Sequence, residues 1–385
     1  MAGRTVLFGA TGYTGRLVAE AMVERGMRPV LAARSAGKLE ALAADLGGGL
    51  ETAVADVSDP PSVSALVERG DVLVTTVGPF ARWGTPAAAA ATTAGAHYLD
   101  STGEPAFIRE VFERYGPAAE RAGCAMLTAF GYDWVPGNLA GGLALREAGD
   151  DAVRIDVGYF IHGAAGPSGG TKATMAASLG DPGYAFRDGR VQTERMAKRV
   201  RSFQVGSKGR EGVSVGSSEH FTLPRFAPQL REVNAYLGWF GPLSRGMQAF
   251  SLGASLPGMS HLLKTAGERF VKGSSGGPDA EARARSGSHI VAIAYDGAGR
   301  ELAEVHVTGG DGYTFTGRML AWGAHRAAEG GLQGTGALGP LEAFGLVGLV
   351  DGCRWAGLEA EGASDGDASG GPAREKSAHG AGSQN

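Results

Sequence analysis

The sequence predicts an α/β fold: a doubly wound parallel sheet, then a second α+β domain with a mixed or antiparallel sheet. Three observations predict it. A short apolar run, Thr5-Val6-Leu7-Phe8, meets Gly9-Ala10-Thr11-Gly12-Tyr13-Thr14-Gly15 and then the helical apolar spacing Leu17, Val18, Ala21, Met22. Strand-like and helix-like segments alternate through brief turns from residue 4 to about 130, the pattern of a Rossmann-type domain. After about residue 131 the pattern changes to alternating strands and a hairpin signal.

In chain order, the second strand is expected over Pro29 to Ala33, with a helix from Ser35 to about Asp45. A third strand follows at Leu50 to Ala55, with a helix from Pro60 to Arg69. The fourth covers Asp71 to Val77 and its helix Trp83 to Ala94. His97 to Leu99 and Cys124 to Ala129 make the fifth and sixth, separated by a helix from Pro105 to Arg121. Short, mostly apolar strands suit a parallel sheet covered on both faces.

Beyond this point Val153 to Ile161 reads as a strand. Ile290 to Tyr295 and Glu301 to Val307 flank Asp296-Gly297-Ala298-Gly299, a hairpin signal. Asp311 to about Ala328 reads as a helix in the same domain. The expected division is residues 1–135 for the Rossmann domain, 136–330 for the α+β substrate domain and 331–358 for a segment packing back on both. Residues 359–385 hold Gly, Ala, Ser and charge without large apolar side chains. Such a tail cannot offset its ordering entropy by burial, so disorder is expected.

The glycine turn carries specific physics. Gly9 permits a tight turn off the strand, Gly12 lets a pyrophosphate approach the backbone, and Gly15 lets the helix pack closely on the sheet. The helix start then offers N–H groups and a partial positive charge to phosphates, with Thr11, Tyr13 and Thr14 beside them. A strand–turn–helix context is what separates such a motif from chance in a chain with 65 glycines. Where an NAD site carries an acid after the second strand, this chain has Arg34, with Lys38 in the first turn of the next helix. Two cations at a helix start oppose its dipole by roughly a few tenths of a kcal/mol, and a bound anion reverses the sign. The 2′-phosphate of NADP is the expected anion. Asp56 and Val57 are placed for the adenine edge, and Gly78-Pro79 for close approach to the nicotinamide ribose.

Composition bounds the remaining classes. The chain has 385 residues, is 43% hydrophobic and 20% charged, and has a net charge of −4, so no global attraction to nucleic acid is expected. Cys124 and Cys353 suit a reducing cytoplasm and lack metal-ligand spacing. The N-terminal apolar run is a strand rather than a signal peptide, and no continuous apolar stretch is long enough to span a bilayer. Residues 236–263 are apolar and nearly uncharged, which reads as core helices or as a lid or peripheral membrane surface for an acyl substrate. Residues 187–210 carry eight cations against two acids. They read as a solvated face or a docking patch for an acidic partner.

Four stretches resemble the saccharopine dehydrogenase-like oxidoreductases and, within them, the trans-acting enoyl reductases. They are the glycine turn at residues 9–15; Val77-Gly78-Pro79-Phe80 with Gly84 and Pro86; residues 94–104, ending Asp100-Ser101-Thr102-Gly103-Glu104; and Phe130-Gly131-Tyr132-Asp133-Trp134-Val135-Pro136-Gly137-Asn138. Weaker echoes are Ser168-Gly169-Gly170-Thr171 and Tyr313 with Thr316. The resemblance implies a Rossmann domain, a second domain with a mixed sheet, a nicotinamide cofactor and reduction of a small or carrier-bound substrate. Read this way, the chain is an NADPH-dependent enoyl reductase, and an acyl carrier protein would be the acidic partner docking on residues 187–210. Imine reduction and a non-catalytic NADP-binding scaffold are the alternatives.

Candidate catalytic groups should lie at the carboxyl ends of the strands. Glu104 is expected to hold the nicotinamide ribose or orient a base, or else to satisfy helix N–H groups. Asp133, after the sixth strand, is a catalytic candidate by position or else a helix cap before Trp134-Val135-Pro136. Lys172, after Gly169-Gly170, reads as a proton donor, an oxyanion partner or a solvated lysine. His162 and Tyr159 read as buried structural residues before catalytic ones.

One outcome follows from Arg34. Losing one charge-assisted fork to phosphate costs on the order of 1.5–3 kcal/mol. Arg34→Asp should therefore shift cofactor preference strongly from NADPH toward NADH in binding titrations. Equal affinity for both cofactors in the unmutated protein would refute the assignment.

Overall fold

A computed structural model describes residues 3–163, 182–239, 241–254 and 276–361. Lys172 and the Ser168–Thr171 motif lie outside the described residues, as do Phe240, residues 255–263 and the tail beyond Glu361.

The first sheet is parallel and contains β1 (Thr5–Phe8), β2 (Val30–Ala33), β3 (Thr52–Val54), β4 (Val72–Thr75), β5 (His97–Asp100) and β6 (Ala125–Leu127). A seventh strand, β15 (Gly336–Ala337), comes from far down the chain. The order is β15-β6-β5-β4-β1-β2-β3. β1 pairs with both β2 and β4, so the order reverses there. The turns after β1 and β4 therefore open a crevice at the carboxyl edge, where open α/β sheets bind ligands. β1, β2 and β4 are buried along their whole length, as their unbroken apolar runs require.

The helices follow the expected alternation. Tyr13–Glu24 follows β1, Ala36–Asp45 follows β2 and Pro60–Ser64 follows β3. Phe80–Trp83 and Thr85–Ala94 follow β4. Between β5 and β6 one continuous helical stretch, Pro105–Ala122, contains a π-helical turn at Val111–Tyr115. A side-chain group at Gly15 would collide with the carbonyl of Gly9, which is why this helix can start so close to the sheet.

The second sheet contains β7 (Arg154–His162), β8 (Gly183–Arg187), β9 (Arg190–Glu194), β10 (Val200–Val205), β11 (Lys208–Val215), β12 (Glu232–Leu237), β13 (Gly287–Tyr295), β14 (Glu301–Gly309) and β16 (Leu358–Ala360). Its main path runs β10-β11-β12-β7-β13-β14-β16. Among the described strands of this path the β12–β7 contact is parallel and the others antiparallel, so the sheet is mixed. The β13–β14 hairpin turns at Asp296, whose Oδ1 accepts from Ala298 N and Arg300 N. The helix Val135–Ala148 leaves the first sheet at β6 and lies against β7, β13 and β14.

Three features differ from the sequence reading. The helix Gly312–Ala328 packs along Tyr13–Glu24 and against β4 and β5, so it belongs with the first sheet rather than the second. Small residues decide this: Gly317 lies against the backbone of Leu17, and Gly323 against the Phe130 ring. The strand β16 carries ordered backbone through Ala360, past the expected start of disorder at residue 359, because it finds an open edge on β14. His162 is exposed at the end of β7, not buried.

The basic stretch is largely tied up within the second domain. Lys198 and Arg199 pair with Glu194, Arg201 with Asp156, and Arg187 with Glu232 and Asn234. Arg195 donates to Gln248 O and Ser251, and Arg210 to Ile161 O. The apolar stretch divides. Tyr236 is buried in a cluster with Phe160 and Phe203. Leu243, Phe250 and Leu252, on and beside the helix Ser244–Ala254, are 71%, 44% and 64% exposed. Among the described residues no helix is long and apolar enough to cross a membrane.

Gly15→Ala tests the close approach directly. Overpacking against the Gly9 carbonyl should destabilise the fold by about 1–3 kcal/mol and weaken dinucleotide binding together. Thermal melts and cofactor titrations check it; an unchanged melting temperature would contradict the contact.

Candidate active site

The glycine turn is built as a cradle. Gly9 adopts φ of +90° and donates to Ala32 O at 2.8 Å, anchoring the turn to β2. A Cβ on Gly9 would meet Thr76 Oγ1 at 2.7 Å, so the turn after β4 lies directly beside it. Gly12 is exposed, and its missing Cβ would meet only the Gly9 carbonyl, at 3.3 Å. No side chain caps the helix that begins at Tyr13, which leaves its first N–H groups for a ligand. Thr11, Thr14 and Gly15 complete the start of this helix. Tyr13 Oη donates to Pro278 O at 2.6 Å.

Arg34 and Lys38 are exposed around the start of Ala36–Asp45, where Ser35 makes no capping bond. Asp56 accepts from Ser58 N at 2.8 Å and Ser58 Oγ at 2.7 Å. Those bonds, with the Arg34 charge, hold its carboxyl below the ordinary range. Val57 follows it at the β3 end of the crevice. Gly78-Pro79 is a cis peptide directly after β4. These residues fit a dinucleotide phosphorylated on the ribose: small backbone at the turn, an open helix start and cations at the second strand.

At the other side of the crevice, Asp100 ends β5 fully buried. Its Oδ1 accepts from Thr102 N at 2.9 Å and Ala129 N at 2.8 Å, and its Oδ2 from Thr128 Oγ1 at 2.8 Å. Burial still raises its carboxyl to about 6 against those three bonds. Thus one carboxyl ties the loop after β5 to the loop after β6. Glu104, on the first loop, is also buried. Its Oε1 accepts from Phe80 N at 2.6 Å and Oε2 from Ala81 N at 2.9 Å. It therefore holds the helix start that follows Gly78-Pro79, in a different helix from the one its own sequence position suggests.

Asp133, on the second loop, lies against Gly103: a Cβ there would meet Asp133 Oδ2 at 2.6 Å. Its Oδ1 is buried without a hydrogen-bond partner among the described residues. Burial raises this carboxyl to about 7. The loop is braced from behind, where Tyr132 N donates to Thr316 Oγ1 at 3.0 Å.

Beside Asp133 sits a group that sequence reasoning missed. Tyr159 Oη donates to Glu219 Oε1 at 2.5 Å and accepts from Gly137 N at 2.8 Å. Burial pushes Glu219 up to about 7, and pushes the neighbouring His220 down to about 4, so the imidazole is neutral. The ring of Tyr159 meets Trp134 edge-on at 5.1 Å and Tyr132 at 6.0 Å. Glu219 gives no signal in sequence, because only the tertiary fold makes it buried. Asp100 lies within the 94–104 stretch, but nothing in its spacing shows three donors converging on it.

The profile of the saccharopine dehydrogenase NADP binding domain matches residues 5–127, so the first sheet is similar to that domain, which supports NADP as its cofactor. A protein of Mycobacterium leprae named trans-acting enoyl reductase is 40% identical over 139 residues, 35% of this chain and 33% of that protein. One of the same name from Mycobacterium ulcerans is 36% identical over 151 residues, 38% of this chain and 36% of its own. The alignments thus span about a third of these relatives' length. Saccharopine dehydrogenase (L-Glu forming) from Saccharomyces cerevisiae superposes with a TM-score of 0.55 at 10% identity, over 93% of this chain and 100% of that one, and so shares the fold.

The Asp100 geometry predicts a split between two substitutions. Asp100→Ala strands two buried N–H donors, each costing about 1–3 kcal/mol. Asp100→Asn keeps an acceptor for both and should lose far less. Denaturant melts of the two variants check this; equal losses would contradict the tie.

Proposed function

We propose that the chain is an NADPH-dependent oxidoreductase that reduces the C=C bond of an enoyl thioester, held on a carrier protein or CoA. The observation that carries the reading is the unpartnered, buried carboxyl of Asp133 at the strand ends of an NADP-binding domain. The naming of the matched relatives as trans-acting enoyl reductases supports the substrate class. The exposed Leu243, Phe250 and Leu252 suit an acyl chain or a peripheral membrane surface. Lys172 stays in this proposal as a second candidate donor.

When bound, NADPH supplies the hydride for the substrate's β-carbon. The chain's own groups do the rest. N–H groups at the start of Tyr13–Glu24 hold the phosphates, and Arg34 with Lys38 take the 2′-phosphate. Glu104 fixes Phe80 N and Ala81 N, so the backbone at Gly78-Pro79 presents an unchanging wall to the nicotinamide ribose. Asp133, protonated on the acid side of about pH 7, carries the proton required at the α-carbon. Trp134, Tyr132 and Tyr159 exclude water behind it.

Two measurements test this. NADPH oxidation should be faster with enoyl thioesters than with imino acids. Turnover should fall as pH rises through about 7, because the carboxyl whose folded-state pKa is raised loses its proton there. Asp133→Asn should cut kcat by roughly 10²–10⁴ and remove that limb while leaving NADPH affinity unchanged. Preference for imino acids would refute the substrate class; an intact pH limb in the variant would refute the role of Asp133.

A further inference from the structure

Arg283 stands at the cofactor-binding helix although it belongs to the second domain. It lies in the short helix Ala280–Ala284, which leads into β13. Asp279 caps that helix by accepting from Ala282 N at 2.8 Å. Arg283 Nη1 donates to Tyr13 Oη at 3.1 Å and to Pro278 O at 3.0 Å. Tyr13 Oη donates to the same carbonyl. Gly277 makes the approach possible, since a Cβ there would lie 2.5 Å from the Tyr13 ring. On its other side, the Tyr13 ring meets Tyr313 edge-on at 5.3 Å.

The electrostatics of this contact are unbalanced. The neighbouring Arg285 is paired with Glu281, whereas among the described residues Arg283 donates to the neutral oxygens of Tyr13 and Pro278. Its Nε is buried without a hydrogen-bond partner among the described residues. Tyr13 is the first residue of the helix whose open N–H groups carry the positive end of the dipole. A guanidinium tethered there opposes that end, and a dianionic pyrophosphate at the same helix start reverses the sign of the interaction.

We propose that Arg283 is a cofactor-binding residue contributed by the second domain: tethered through Tyr13, it donates to the pyrophosphate of the dinucleotide and closes the second domain over it. The guanidinium suits this role because its planar fork matches two phosphate oxygens. The inference depends on the NADP-binding domain and not on which substrate is reduced, so it stands or falls apart from the enoyl reading.

Cofactor affinity of the full chain, measured by fluorescence titration without substrate, tests it. NADPH and NADH share the pyrophosphate and differ in the 2′-phosphate. Arg283→Met should weaken both by the same factor, roughly tenfold or more. Arg283→Lys, which keeps the charge and loses the fork, should fall between. Tyr13→Phe, which removes the tether alone, should give a smaller loss, again equal for the two cofactors. Unchanged affinities in Arg283→Met and Arg283→Lys would overturn the proposal. So would a loss confined to NADPH, which would place Arg283 on the 2′-phosphate instead.

Discussion

The buried carboxyl of Asp100 is the constraint on which the Glu104 and Asp133 side of the crevice depends. Parallel strands end in backbone that has no neighbour to pair with, and the loops that follow must find partners elsewhere. Here Thr102 N, Ala129 N and Thr128 Oγ1 all find the same two oxygens. Ala129 takes φ of +57°, a conformation L residues rarely adopt, and the bond to its N–H holds it there. With both loops fixed, Glu104 meets the Phe80 backbone and Asp133 meets Gly103. Neither acid could be placed by its own loop alone, since loops at strand ends are otherwise free to vary.

Behind that tie lies the seam between the two sheets. The chain crosses it at Trp134 and enters the helix Val135–Ala148, which covers the second sheet. Gly137 sits where a side chain would strike both Tyr159 Oη and Glu219. Its absence of a Cβ lets Tyr159 reach the helix backbone. The consequence is a group of acids, Asp133 and Glu219, enclosed within a largely aromatic wall. Low dielectric around them disfavours charge and raises both carboxyls toward neutrality. A group poised to hold or release a proton near neutral pH is what the proposed reduction needs at its substrate, and an unpaired buried Asp133 Oδ1 calls for an explanation.

The parallel sheet was legible because its signals are local: apolar runs of strand length, glycine turns and helical spacing follow one another without interruption. Arg34 and Lys38 were legible for the same reason, as cations at a helix start. The hairpin at Asp296 was announced by its turn residues. What the sequence could not show depends on distant segments meeting. The helix Gly312–Ala328 joined the first sheet through Gly317 and Gly323, whose role exists only once Leu17 and Phe130 are beside them. Strand β15 adds two residues to a sheet that closed two hundred positions earlier, too short a run for any periodicity. Glu104 was visible as a candidate, yet its partners lie on another helix. Glu219 and Arg283 act through burial and tertiary neighbours, and the charge count of residues 187–210 could not show that Glu194, Asp156 and Glu232 would meet those cations.

The central claim is that Asp133 holds a proton in the folded protein near neutral pH. The infrared carbonyl band of a protonated carboxyl reports this directly, in the difference between the unmutated protein and Asp133→Asn. The account predicts a band present at pH 6 and lost as the pH passes through about 7. A difference spectrum with no protonated carboxyl band at pH 6, showing Asp133 already ionised, would contradict it.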